Sequence, residues 1–206
     1  MTTILGLTCI SEQLKEIDKK KYSFRTMTRK RFNDLCVRDG RDEAIKELSE
    51  RIAHNLYCTQ YILRHCHSSD IRHYRLSSSL FPLLTDQTLE LAYTDLPNHK
   101  TLDTELRFIG IIAKTFGISM GSHPDMFNVL ASCNREAVSR TINELNFQAS
   151  ILDKLGLPQD HTAPMNIQFN RAIKDGETLE DIAKIFYNNL MKCNAGVYNR
   201  LTIENE

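Results

Sequence analysis

Short apolar stretches alternate with longer amphipathic ones along the chain, and this alternation restricts the fold more than any other feature. Residues 4–10 (ILGLTCI) read as a buried strand, followed by a long basic loop. The apolar spacing then predicts a helix over about 41–65, with Ile45, Leu48, Ile52, Leu56 and Leu63 on one face. A second strand is read at 71–77 and a helix at about 102–116, where Leu102, Leu106, Ile109 and Ala113 form the stripe and Gly117 occupies the closing position. A third strand at 118–122 precedes a helix over about 135–155, closed by Gly156. A fourth strand spans 163–169. Thr178 caps a further helix that Gly196 is expected to end, and 201–204 (LTIE) begins a fifth strand. Strand–helix alternation of this kind implies parallel strands joined by crossovers, in an α/β fold. Two architectures fit, a doubly wound open sheet and a (β/α)8 barrel. No GxGxxG follows the first strand, so the dinucleotide-binding form loses its main support. In both architectures, function belongs at the C-terminal ends of the strands.

Composition excludes several classes. With 41% apolar and 25% charged residues, the chain is neither disordered nor fibrous. No apolar run approaches the roughly 20 residues a bilayer span needs. The N-terminus has no charged n-region followed by a long apolar stretch, so no signal peptide is read and a cytoplasmic location is expected. The 6 cysteines form no CxxC pair and read as free thiols. His65-Cys66-His67 falls at a helix end, where neighbours point apart, and reads as a terminus rather than a metal site.

The formal net charge of +0 argues against a general nucleic-acid coat protein, but the charge is uneven. Lys15, Lys19, Lys20, Lys21, Arg25, Arg29, Lys30 and Arg31 cluster, with Tyr22 and Phe24 between them and only Glu16 and Asp18 opposing. On charge alone two readings stand: phosphate contacts, or a solvated loop. The strand ends collect polar groups: Cys9-Ile10-Ser11, Ser77-Ser78-Ser79, Ser122-His123-Pro124-Asp125, Asn166-Ile167-Gln168 and Glu204-Asn205-Glu206. In a barrel such residues share one mouth, where a histidine and a carboxylate can hold a divalent metal.

These residues also carry a resemblance. Leu5-Gly6-Leu7-Thr8-Cys9, with the basic Phe24-Arg25-Thr26 segment after it, is similar to the opening of the UV damage endonucleases. Arg75-Leu76-Ser77-Ser78-Ser79-Leu80-Phe81-Pro82 resembles their second-strand motif. Ser122-His123-Pro124-Asp125-Met126-Phe127 resembles their His-Pro motif. Asn166-Ile167-Gln168 is similar to their Asn-Ile-His strand, and Leu201-Thr202-Ile203-Glu204-Asn205 to their later Glu-Asn strand. The likeness runs in order through essentially the whole chain.

The resemblance implies a (β/α)8 barrel, a cluster of divalent metals (manganese by preference), and hydrolysis of the phosphodiester 5′ to UV lesions in double-stranded DNA, as in excision repair. It makes His123 and Glu204 catalytic metal ligands. Asp86 and Gln168 stand where the family has histidine ligands, and Gln168 puts an amide in place of an imidazole. Arg25 and Lys21 are expected at DNA phosphates, and Met126 and Phe127 at the lesion-probing loop. Leu7 and Ser11 fall at two further DNA-contact positions, where the family has a tyrosine and an asparagine. The chain stops before the family's later strands. The expectation is therefore one barrel-type domain over 1–206, a partial barrel of about four strand–helix units plus a fifth strand, with an incomplete metal cluster. A complementary C-terminal half or a second copy would be its partner, and no membrane. Two other readings stand beside the endonuclease: an inactive or split remnant that binds DNA without cleaving it, and a sugar-isomerase-like barrel enzyme.

Overall fold

The structure is a computed structural model that describes residues 4–124, 129–169, 171, 173–174 and 176–204. Its elements run β1 (Gly6–Thr8), α1 (Glu12–Ile17), α2 (Lys19–Tyr22), α3 (Arg29–Asp39), α4 (Arg41–Ser68), β2 (His73–Leu76), α5 (His99–Phe116), β3 (Ser119–Ser122), α6 (Arg135–Lys154), β4 (Met165–Gln168), α7 (Leu179–Leu190), α8 (Ala195–Tyr198) and β5 (Leu201–Glu204). Three 3-10 turns lie between β2 and α5. Among the described residues, no helix is long and apolar enough to cross a membrane.

The strands form one parallel sheet in the order β1-β2-β3-β4-β5. A doubly wound sheet reverses its strand order at a switch point, whereas a barrel adds strands sequentially. The observed order is sequential, so of the two architectures left open by the sequence it is the partial barrel that forms. The sheet does not close: among the described residues, β1 pairs with β2 and β5 with β4, at opposite ends of the order.

Two compact units can be described separately. The first comprises Met1–Met120 with Lys154–Gly156, the second Gly121–Asp153 with Leu157–Glu206. In the first, α4 packs against α3 and α5. Leu48, Ile52, Leu56 and Leu63 of α4, Leu102, Leu106 and Ile109 of α5, and Phe32 of α3 are fully buried. Burial of side chains of this size supplies the main drive for folding, roughly 1.5–3 kcal/mol each before entropy is counted. In the second unit, Val138, Leu145, Ala149 and Leu152 of α6 are buried, as are Ile182 and Phe186 of α7 and Met165 and Ile167 of β4. Arg200 is buried there too, its guanidinium donating to the carbonyls of Leu157 and Pro158 and pairing with Asp153 at 2.8 Å.

Two sequence expectations are corrected. The basic stretch after β1 is not one continuous loop but three short helices, with residues 23–28 outside them. Ser11, Asp18 and Thr28 cap α1, α2 and α3, accepting from the backbone N–H groups of Leu14, Lys21 and Arg31. The dense charge masked these start signals. Gly196 does not end α7, which stops at Leu190, but lies inside α8. A Cβ there would come within 3.3 Å of the Arg200 guanidinium, so the buried arginine accounts for the glycine. Gly117 and Thr178 do act as caps, Gly117 with φ 64° and Thr178 in a reciprocal capping box with Asp181.

Candidate functional site

In the second unit the register of β4 and β5 builds a polar face. The pairing sets Asn166 beside Thr202 and Gln168 beside Glu204. Side chains alternate along a strand, so these four share one face, while Met165, Ile167 and Ile203 take the other. His123 directly follows β3, whose end is fixed when the Ser122 N–H donates to the Pro164 carbonyl at 2.8 Å. Gly121 allows that approach, because a Cβ there would lie 2.7 Å from the same carbonyl oxygen.

His123 and Glu204 are brought together, Nε2 to Oε1 at 3.3 Å, with 19% and 29% of their side chains exposed. Asn166 holds the carboxylate, its Nδ2 donating to Glu204 Oε1 at 2.5 Å. The Thr202 hydroxyl donates to Asn166 Oδ1 at 2.9 Å, which orients that amide with its nitrogen toward Glu204. A carboxylate and an imidazole are thus fixed at a strand-end surface with water access.

This pair fits a divalent cation. Two donors about 2.1 Å from one ion at a right angle stand about 3 Å apart, close to the observed spacing. An imidazole nitrogen with a carboxylate oxygen is also a donor set that manganese or zinc accepts. Among the described residues, however, no group of three His, Cys, Asp or Glu side chains gathers as a metal site.

The remaining predicted residues fare differently. Gln168 is on the polar face as Glu204's register partner. Asp86, in the first unit, accepts from Arg29 Nε at 2.7 Å and from both the hydroxyl and the N–H of Thr88, capping a short turn. Burial works to raise its carboxyl, but the hydrogen bonds from Thr88 and Arg29 outweigh that and hold it below the ordinary carboxylate range. Its carboxylate oxygens are thereby engaged in local structure. Ser11 is only 3% exposed and its oxygen caps α1. Leu7 is half-buried in β1 beside Tyr74.

Arg25 is exposed, while its backbone N–H donates to Asn55 Oδ1 at 2.7 Å. Lys21 lies over the rings of Tyr22 and Tyr61, its Nζ 5.1 and 4.9 Å from their centroids. Met126 and Phe127 lie outside the described residues.

Sequence reasoning passed over Asn166 and Thr202 as working side chains. Period-two alternation in both strands marks them, since each stands two residues before a residue already singled out. Asn55 was also missed. Its signal is weak, because Asn55 is one of three polar residues, with Ser49 and Thr59, on the buried side of α4.

Comparison with known proteins bears on this geometry. A family model described as UV-endonuclease UvdE matches residues 3–206. The UV DNA damage endonuclease of Nostoc sp. is 33% identical over 202 residues, covering 98% of this chain and 56% of that protein. That of Bacillus cereus is 25% identical over 182 residues, covering 88% of this chain and 53% of its own length. The chain thus spans about half the length of these curated relatives. A crystal structure of SacUVDE superposes on all of the chain and 61% of its own with a TM-score of 0.77 at 23% identity, a likeness of fold. The chain belongs to the UV-endonuclease UvdE family.

Proposed function

We propose that this chain carries part of a metal-dependent endonuclease that nicks double-stranded DNA 5′ to UV lesions. The observation that carries the proposal is the convergence of His123 and Glu204 at 3.3 Å on a polar strand-end face. Those two side chains would hold the cation, manganese by preference. Bound there, it would supply the charge that lowers a water's pKa and offsets charge growing on the phosphodiester. Asn166 keeps the Glu204 carboxylate turned toward His123, and Thr202 keeps Asn166 from flipping. Arg25 and Lys21 supply sequence-independent attraction for phosphates. Met126 and Phe127 are the candidates for probing a nucleotide turned out of a weakened stack.

A second reading, DNA binding without cleavage, is favoured by one observation. The described residues supply two acidic or imidazole donors at the face, with an amide, Gln168, beside them. Further ligands would then come from a complementary half or a second copy pairing beyond β5.

Nicking of UV-irradiated supercoiled plasmid in manganese tests both readings, using the chain alone and the chain with the C-terminal half of the Nostoc relative added. Nicking that disappears in His123→Ala and Glu204→Gln supports the proposal. If nicking appears only with the added half, the missing ligands belong there. No nicking in either mixture, with DNA binding intact, rejects the endonuclease in favour of the second reading.

A further inference from the structure

Helix α4 grips the backbone of residues 21–26 with a row of side chains. Cys58 Sγ donates to the Lys21 carbonyl at 3.1 Å, and His54 Nε2 lies 3.0 Å from the Ser23 carbonyl. Asn55 accepts from the Arg25 N–H at 2.7 Å and returns a bond from Nδ2 to the Arg25 carbonyl at 3.2 Å. Arg51 Nη1 donates to the Thr26 carbonyl at 2.6 Å. Positions 51, 54, 55 and 58 are spaced three to four apart, which places them along one side of a helix. From Ser23 onward, past the end of α2, the segment has a column of side chains in place of a ladder partner.

Asn55 differs from the others in the row. Like Cys58 it is fully buried, but its Nδ2 also reaches the carbonyls of Ser79 and Leu80 at 3.3 and 3.2 Å. One amide therefore joins the basic segment to the Ser77–Leu80 turn that follows β2. Both backbone hydrogen-bonding groups of Arg25 end on this amide, while the Arg25 side chain stays exposed. A backbone fixed on both sides beneath a solvent-facing guanidinium is arranged for presentation, because ordering done during folding need not be repeated on binding.

We propose that Asn55 is a positioning residue that presents Arg25 to a DNA phosphate. This rests on the DNA-binding reading above, and a double-mutant cycle separates the two. Affinity for a fluorescently labelled undamaged duplex is measured by anisotropy across a salt series for the full chain, Arg25→Ala, Asn55→Ala and the double variant. Each single change is expected to weaken binding roughly tenfold. Each should also reduce the slope of log affinity against log salt by about 1. The double variant should lose nothing further, because both changes remove one contact. Additive losses, or an Asn55→Ala protein that binds like the unmodified chain, overturn the positioning role and leave the DNA reading standing. An Arg25→Ala protein with unchanged affinity and slope removes the Arg25 contact and the proposal with it.

If Asn55→Ala does not fold, Arg51→Lys takes its place. It keeps the charge but gives up the guanidinium's hold on Thr26. Its loss should be smaller and should vanish in the Arg25→Ala background, and a loss that persists there is equally contradictory.

Discussion

His54 sits under the basic segment, and its surroundings set a pH dependence that can be worked out in sign. Burial lowers its pKa first, the Ser23 carbonyl raises it, and the Arg25 charge lowers it again, for a net shift below 6.5. The folded chain therefore binds the proton less readily than the unfolded chain. Stability from this site is complete above the unfolded value and is lost as pH falls from about 6.5 toward the folded pKa. Half-buried His73 is shifted in the same direction, by desolvation and by the Arg75 charge. Thermal midpoints should fall between pH 7 and pH 5, and His54→Gln should shrink that fall, leaving the part due to His73. An unchanged pH profile in the variant would contradict this account. The carboxylates of Asp86 and Asp103, held below their ordinary range, act at lower pH and do not obscure the window. At this scale the sequence showed which polar side chains collect at strand ends, and the structure brings two of them, His123 and Glu204, within 3.3 Å of each other. It did not show which side chains are taken up by local hydrogen bonds. Ser11 and Asp86 both serve as caps, and nothing in their identity distinguishes a capping oxygen from a ligand.

Helices and strands were legible because period fixes them. The stripe Leu102, Leu106, Ile109 predicted α5, and all three side chains are fully buried. The errors came where local signals competed. Capped short helices were read as a loop because lysines and arginines crowd the same positions. The strands are shorter than their apolar runs, since residues such as Ile4 and Leu5 stay outside the paired register and exposed at 68% and 62%. Gly110, inside α5, shows an element constrained from outside itself. A Cβ there would fall 1.8 Å from the Leu155 carbonyl oxygen. Gly110→Ala should therefore destabilise by roughly 1–3 kcal/mol, despite alanine's helix preference of about 1 kcal/mol. Chemical denaturation measures this, and a raised midpoint would mean that the contact does not constrain the helix.

Across the whole molecule, sequential strand order separates a barrel from a doubly wound sheet, and strand–helix alternation alone could not. Register was equally invisible in the sequence, and register is what sets Thr202 against Asn166 and Glu204 against Gln168. The family's motifs supplied the positions of His123 and Glu204, and the geometry adds the Asn166 and Thr202 hydrogen bonds behind them. The central claim is that His123 and Glu204 hold one divalent cation between them. Titration with manganese, followed by loss of the free-ion paramagnetic resonance signal, tests it most directly. One site is expected in the unmodified chain, strongly weakened in either His123→Ala or Glu204→Gln, with little further loss when the two are combined. Equal manganese binding by all four proteins would contradict it.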